Sequence, residues 1–304
     1  MVTMNSFKNL PSIKRLTRIQ QRIDSLFSTK YGMYLKIGIA YLVLILVSVI
    51  WILPLYIAVV TASKSNREIY QTNVLQPPSH PLIDPWIEAW NRISRGFFNS
   101  IIVSLPATFL AVLIGIMAGY YLARYRFKGA QLLFFTIAVA SFIPYQIVLI
   151  PIVQILSSMG LMGTHIGLII AYTILFSPWA ALISAAFFMT IPKDLEEAAL
   201  IDGATPIKTF FKIVLPVALP GIISTTIIIF MNIWNEFLIA VTLSTNPLVR
   251  TVQPEIANLR GTTTVSWNTL MAGSVIAILP PTIIVIFLGR YFVRGLLAGA
   301  LKGV

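Results

Sequence analysis

The sequence has no cysteine among its 304 residues. It therefore offers neither a disulfide framework nor a thiolate metal site, and the redox compartment stays undetermined. Charged residues are also scarce, at 11% of the chain, whereas an average soluble domain has roughly 25%. Since 57% of the residues are hydrophobic, the composition argues against a water-soluble fold and favours an integral membrane protein.

Two catalytic signatures are absent as well. No glycine is directly followed by lysine, so the chain has no Walker-type loop that could cradle a nucleotide. There is no H-E-x-x-H motif, and the uncharged stretches carry no clustered carboxylates that could serve an intramembrane enzyme. We expect no catalytic residue, no metal ligand and no cofactor in this chain, so the energy for its activity must come from elsewhere.

Long uncharged stretches dominate what is present. A spanning helix needs about 20 largely apolar residues. Between Lys36 and Lys64 lie 27 uncharged positions, and between Arg95 and Arg124 lie 28. Residues 129–192 carry no charge at all, which suits two further spans. The pattern predicts an all-α membrane protein with six spans, at about 37–62, 98–123, 131–156, 164–189, 217–243 and 269–293.

The formal net charge is +12, but its distribution predicts topology rather than nucleic-acid binding. With a cytoplasmic N-terminus, the inner segments hold 16 of the 22 Lys and Arg residues, as the positive-inside rule requires. We therefore expect both termini in the cytoplasm. Residues 1–35 mix basic and aliphatic side chains and are predicted to lie on the lipid bilayer as an interfacial helix, ahead of a six-helix domain at 36–304.

One predicted inner segment, at about 190–216, has a mixed charge that the other inner loops lack. Pro192 suits the first position of a helix, and the acidic residues that follow suit its first turns. Gly203 suits the left-handed residue that ends this helix. Thr205 followed by Pro206 is a second helix start. The segment is therefore predicted to be a helix, a tight glycine turn and a second helix.

The first of these two helices carries small residues on one side. Leu195, Ala198 and Ala199 share a face at helical spacing. The two alanines would leave a shallow surface that another protein can approach closely. Such a shape can dock against a partner and transmit force.

Nine residues of this segment form a recognisable pattern at fixed spacing: Glu197, Ala198, Ala199, Asp202, Gly203, Ala204, Ile213, Leu215 and Pro216. They resemble the EAA loop of ABC importer permeases. The similarity covers about residues 36–303 and points to the permeases of sugar importers related to the smaller membrane subunit of the maltose transporter. Further matches are Asn99 with Ser100, YYLARYRFKG at 120–129, residues 160–164, WNEF at 234–237 and GLLAGALKG at 295–303.

The resemblance implies a type I ABC importer permease in a bacterial cell (inner) membrane, forming half of a channel for a carbohydrate. The implied partners are a second, related permease, two ATPase subunits that use ATP and Mg, and an extracytoplasmic solute-binding protein. In that family the loop helix sits in a cleft of the ATPase. The coupling residues are then Glu196, Glu197, Ala198, Ala199, Asp202, Gly203, Ala204, Leu215 and Pro216. A second ATPase contact is implied at Leu301, Lys302 and Gly303.

Glu236 is the one acidic residue inside a predicted span, and Asn232, Trp234 and Asn235 lie beside it. Because burying a carboxylate in lipid is costly, Glu236 should face the bundle interior or a wet cavity. The cluster either lines the translocation path, where amides and aromatic rings suit a sugar, or forms a structural hydrogen-bond network, and the sequence leaves both open. Further candidates for the path are Tyr145 and Gln146.

An ion-coupled secondary transporter of a small polar solute is the main alternative. It needs charged relays or broken helices at the membrane midplane. One glutamate and no membrane histidine make it the weaker interpretation, since His165 falls in a predicted turn. The solute stays open, as does pairing with itself or with a related permease, although the family precedent favours a heterodimer. The outer segment 244–270 is either a contact for the binding protein or a solvated loop.

Overall fold

The structure, a computed structural model, describes residues 30–125, 127–261 and 265–300, and every regular element among them is helical. Most of the predicted interfacial helix lies outside the described residues, as do Leu301, Lys302 and Gly303. The chain divides into two compact units, with the boundary after Ala58.

The described helices are numbered in chain order. They are α1 (Lys30–Ala62), α2 (Asn66–Gln71), α3 (Asp84–Arg124), α4 (Ala130–Ser141), α5 (Leu149–Ser158), α6 (His165–Thr190), α7 (Asp194–Ile201), α8 (Pro206–Thr209), α9 (Leu215–Asn235), α10 (Leu238–Leu243), α11 (Val252–Asn258) and α12 (Trp267–Ala300). A 3-10 turn (Tyr145–Val148) leads into α5, and a π-helical turn (Phe210–Val214) joins α8 to α9. A second 3-10 turn (Pro247–Val249) precedes α11.

The first unit contains α1 up to Ala58. With 33 residues, α1 is about 50 Å long, which exceeds the roughly 30 Å thickness of a bilayer's hydrocarbon core. The hydroxyl of Ser48 donates to the carbonyl of Leu44 at 2.7 Å, so it is satisfied within the helix and needs no water. The first predicted span, 37–62, falls within α1.

Five helical stretches among the described residues are long and apolar enough to cross a membrane, namely α1, α3, α6, the run from α8 through α9, and α12. The third predicted span, 131–156, is not one straight helix, because α4 and the helical stretch after Pro144 meet at 94°. Pro144 has no N–H to donate and keeps the preceding residue out of the helical region, which explains the break. Counting this bent pair as one span gives the six that the sequence predicts.

Helix α3 begins at Asp84, well before the predicted start of the second span at about residue 98. Pro85 fits its first turn, and an ion pair of 2.7 Å between Glu88 and Arg92 supports the helix beyond the apolar stretch. With 41 residues, α3 is about 60 Å long and exceeds a hydrocarbon core twofold. Asn99, which lies at the predicted start of the second span, is therefore inside the helix.

The second unit has its core where α3 packs along α6. Gly115 and Gly119 of α3 face Ala180, Ala181 and Ala185 of α6. A Cβ atom on Gly115 would lie 2.4 Å from the Cβ of Ala180, so this helix separation requires glycine. Small residues at such contacts are typical of membrane helices, whose backbones approach closely to gain van der Waals contact.

Polar contacts stabilise the segment that connects α1 to α3. Lys64 is buried, and its Nζ donates to the hydroxyl of Thr72 and the carbonyl of Asn73, both at 3.0 Å. Glu68 accepts from the backbone N–H of Ser79 at 2.7 Å and from its hydroxyl at 2.9 Å. The backbone hydrogen bond from Ser79 lowers the pKa of Glu68 below its ordinary value.

Candidate functional site

The predicted helix, glycine turn and helix are observed between α6 and α9. The first helix begins at Asp194, so Pro192 lies before it and not at its first position as predicted. Gly203 follows α7 with φ of +83°, the left-handed conformation expected at that position. Thr205 then caps α8, its hydroxyl accepting from the backbone N–H of Lys208 at 3.3 Å, and Pro206 is the first residue of that helix. Cap and turn chemistry therefore fix this segment, which we call the coupling loop.

The exposure of α7 differs from the predicted docking face of Leu195, Ala198 and Ala199. Glu197 and Ala198 are exposed, but Ala199 is only 5% exposed, and its carbonyl accepts from the N–H of Ala204 at 3.0 Å. The prediction that Ala199 contributes to a docking surface is therefore wrong, because α7 packs this side against the following turn. Three other predicted coupling residues lie further along the loop: Asp202 and Pro216 are exposed, and Leu215 is half-buried.

The side chain of Glu196 does not lie on the exposed side of α7. It contacts residues of α3 in the same chain. Its Oε1 lies 2.6 Å from Nε of Arg124, and its Oε2 accepts from the hydroxyl of Tyr120 at 2.9 Å. Arg124 also donates from Nη2 to the carbonyl of Ile191 at 2.9 Å. Among the predicted coupling residues, Glu196 is thus held within the chain, whereas Glu197 is available to a partner.

A second candidate site lies where α9 ends and α10 begins. The predicted fifth span, 217–243, is interrupted here, and Glu236 occupies the break. Its buried carboxylate accepts from the hydroxyls of Tyr145 at 3.0 Å and Tyr172 at 3.1 Å. It also accepts from the backbone N–H groups of Ile239 and Ala240, both at 3.0 Å. The carboxylate therefore caps the first turn of α10.

Of the two roles that the sequence left open for Glu236, this geometry supports the structural one. All four of its hydrogen bonds come from donors within the chain, so the carboxylate belongs to a structural network. Trp234 is also structural, since it is 2% exposed and its indole N–H donates to the carbonyl of Ala277 at 3.1 Å. Trp234 therefore packs α9 against α12, and the prediction that its side chain lines the path is wrong.

The remaining path candidates meet at one open cavity of about 740 Å³. Asn232 and Asn235 lie on one side of α9, each donating its amide to the carbonyl four residues earlier at 2.8 Å. The other residues that line the cavity are Tyr145, Gln146, Leu175, Phe176, Trp179, Ile229, Met231, Glu236, Phe237, Leu238 and Ile239. Amides and aromatic rings thus share one concave surface.

His165 does not lie in a free turn, because it is the first residue of α6 and contacts α3. Its Nε2 lies 2.9 Å from Oδ1 of Asn99. The amide nitrogen of Asn99 already donates to the carbonyls of Leu248 and Arg250, at 2.9 and 2.8 Å. The amide oxygen must then accept, so His165 donates through Nε2. Asn99 thereby holds the segment around residue 250 against α3.

Sequence reasoning missed the partners that give both sites their geometry. Tyr120 and Arg124 lie four residues apart and so share a face of α3, which was a readable signal. Tyr172 and Trp179 lie in a long apolar run, where nothing in the sequence marks them. Within the described part of the chain, no group of three or more His, Asp or Glu side chains could hold a metal ion.

Comparisons with known proteins identify the class. Residues 96–297 match the family described as binding-protein-dependent transport system inner membrane component. The glucose import system permease protein GlcU of Saccharolobus solfataricus is 37% identical over 89% of this chain and 97% of that protein. The trehalose transport system permease protein SugB of Mycobacterium tuberculosis is 33% identical over 85% of this chain and 93% of that protein.

The fold agrees with a solved importer. A bacterial ABC transporter involved in the import of the acidic polysaccharide alginate superposes with a TM-score of 0.69, at 18% identity, over 87% of this chain and 98% of the compared chain. This chain belongs to the family of binding-protein-dependent transport system inner membrane components. It is a multi-pass permease subunit of an ABC importer, and the resemblance noted from the sequence is confirmed.

Proposed function

We propose that this chain forms half of the channel of a carbohydrate importer, paired with a second, related permease. Two separate ATPase subunits, which use ATP and Mg, drive it, and an extracytoplasmic binding protein delivers the solute. Relatives above 30% identity named for glucose and trehalose import support the carbohydrate assignment. This chain itself has no catalytic role in the proposal, since its sequence contains no Walker-type loop.

The coupling loop is the observation that carries this proposal. Its mixed charge contrasts with the basic composition of the other inner segments, and Glu197 is exposed on α7. An exposed carboxylate on a short helix suits a basic cleft in an ATPase subunit. Gly203, in a conformation that favours glycine, fixes the angle between α7 and α8. The charge bias of the sequence supports a cytoplasmic position for this loop and for both termini.

The cavity beside α9 is the proposed solute path within this subunit. Asn232, Asn235 and Gln146 supply amides to sugar hydroxyls, and Trp179 and Tyr145 supply aromatic surface. Concave sites with a few polar groups among apolar and aromatic side chains are the usual form of a small-molecule site. Glu236 supports the wall of the cavity through its four internal hydrogen bonds.

Two substitutions in the coupling loop, one that reverses a charge and one that alters the glycine turn, test the proposed ATPase contact. Glu197→Lys and Gly203→Pro should leave the protein in the membrane but abolish recovery of the ATPase on affinity purification in mild detergent, or uncouple ATP hydrolysis from transport. Asn91→Lys adds a lysine at an exposed position of α3 far along the chain from the loop and should have no effect. Unchanged transport in both loop variants would refute the coupling role.

Solute uptake tests the proposed path. Liposomes containing the complete importer should take up a saccharide delivered by its binding protein. Asn232→Ala and Asn235→Ala should reduce uptake while ATPase recovery stays normal. Ile286→Ala, at an exposed apolar position of α12, provides the control. Proton-coupled uptake by the chain alone would instead support the secondary transporter, and full uptake by both amide variants would remove these amides from the path.

A further inference from the structure

The coupling loop is joined through the chain to the long helices α6 and α9, yet it also contacts a third long helix, α3. Glu196 of α7 lies against the last turns of α3, with its Oε1 2.6 Å from Nε of Arg124 and its Oε2 2.9 Å from the hydroxyl of Tyr120. The N–H direction of Arg124 Nε is not aligned with the carboxylate oxygen, so this contact is an ion pair rather than a directional hydrogen bond. Glu196 thus connects α3 to a loop that is distant in sequence.

The contact is enclosed. The Arg124 side chain is 6% exposed and that of Glu196 is 14% exposed. Arg124 also donates to the carbonyl of Ile191, directly after α6, at 2.9 Å. The ring of Tyr120 packs against Phe188 and Phe210, with centroids 5.4 and 4.6 Å away. The ends of α3 and α6 and both sides of the coupling loop therefore meet at one point.

Within its N-terminal half, α3 also holds the outer segment around residue 250. Asn99 donates to the carbonyls of Leu248 and Arg250, and the hydroxyl of Ser100 accepts from the N–H of Val252 at 2.8 Å. The helix is continuous between these contacts and Arg124, a distance of about 37 Å at 1.5 Å per residue. One helix therefore connects the coupling loop to the outer segment.

We propose that Arg124 and Tyr120 are positioning residues that fasten the coupling loop to α3 through Glu196. Movement of the loop, caused by the ATPase, is thereby delivered to α3 and to the outer segment that Asn99 holds. This inference rests on the proposed coupling function. It gives Glu196 a role different from that of Glu197, which contacts the partner.

A charge-neutralising cycle separates this role from a contribution to folding alone. Removing one partner of a buried ion pair leaves an uncompensated charge and destabilises the protein, whereas removing both is often close to neutral. Glu196→Gln and Arg124→Gln should each lower the melting temperature of the purified complex, and the double variant should recover it. The amount of solute transported per ATP hydrolysed should fall at least about fivefold in the double variant as well, a typical size for coupling between sites.

Arg92→Gln is the matched control, because it breaks an ion pair that is exposed on the same helix. It should change neither the melting temperature nor the transport ratio. Recovery of both quantities in the double variant would overturn the inference, since the pair would then serve stability only. If the unaltered chain brings down no ATPase, the proposed function itself fails and the inference falls with it.

Spin labels provide a second measurement. The natural chain has no cysteine, so Met117→Cys on α3 and Ile201→Cys on α7 give two labelling sites, both exposed. The distance distribution between them should stay narrow when nucleotide is added to the complex. It should broaden when Glu196→Gln and Arg124→Gln are also present. An equally narrow distribution in both forms would contradict a fastening role for the pair.

Discussion

The contact between α3 and α6 can be tested at a single atom. Gly115→Ala adds one methyl group at a place where its Cβ would lie 2.4 Å from the Cβ of Ala180 and 2.7 Å from the backbone carbon of that residue. Ordinary van der Waals contact begins near 3.4 Å, and no side-chain rotation can relieve a clash with the backbone. The two helices must therefore separate locally by about 1 Å.

The expected cost follows from two opposing contributions. Overpacking a well-filled contact costs about 1–3 kcal/mol. Replacing glycine by alanine also lowers the conformational entropy of the unfolded chain, which stabilises the folded state by about 0.4–1 kcal/mol. The net loss is about 1–2 kcal/mol, which corresponds to a fall in melting temperature of about 2–6 °C.

The assay is thermal unfolding of the purified chain in detergent. The measured quantity is the loss of monodisperse protein as the temperature rises. Gly289→Ala is the control, because its Cβ would meet nothing closer than Cγ1 of Val285 at 3.8 Å. This control should melt at the temperature of the unaltered chain or slightly above it. Equal melting temperatures for the two variants would refute the close packing of α3 on α6.

Two further predictions concern carboxylates that accept hydrogen bonds. Glu236→Gln gives up one acceptor oxygen among four donors, so we expect a loss of about 1–3 kcal/mol for each buried donor left unpaired, measured by thermal unfolding. An unaltered melting temperature would contradict the capping role. The pKa of Glu68 is lowered by the N–H of Ser79, so the stability that Glu68 contributes is present above its unfolded pKa and is lost as the pH falls through the lower folded value. Limited proteolysis between α1 and α3 should therefore accelerate in acid, and Glu68→Gln should remove this pH dependence.

Local chemistry explains what could be predicted from the sequence. Gly203, Thr205 and Pro206 act within a few residues of themselves, so the helix, turn and helix of the coupling loop could be derived in advance. Charge-free stretches located the spans for a similar reason, because crossing lipid needs a continuous apolar segment.

Helix ends and side-chain partners could not be obtained in this way. A charge-free stretch measures the part that crosses lipid, so it missed the extension of α3 back to Asp84. Glu196 and Glu197 are neighbours in the sequence, and only the position of Arg124 determines which of them turns inward. The role of Glu236 depends on Tyr172, a partner 64 residues away. These features arise from contacts between helices, which periodicity does not encode.

The internal hydrogen bonding of the Glu236 carboxylate has a consequence for the proposed solute path. Of the described residues that line the cavity, Glu236 alone carries a charge, and four donors of the chain itself already occupy its oxygens. An anionic solute would shed hydration there beside a like charge and without a counter-ion, whereas a neutral polyhydroxylated solute could exchange water for amides. If this cavity is the solute path, as proposed, we expect its wall to disfavour anionic solutes before it distinguishes neutral solutes by shape.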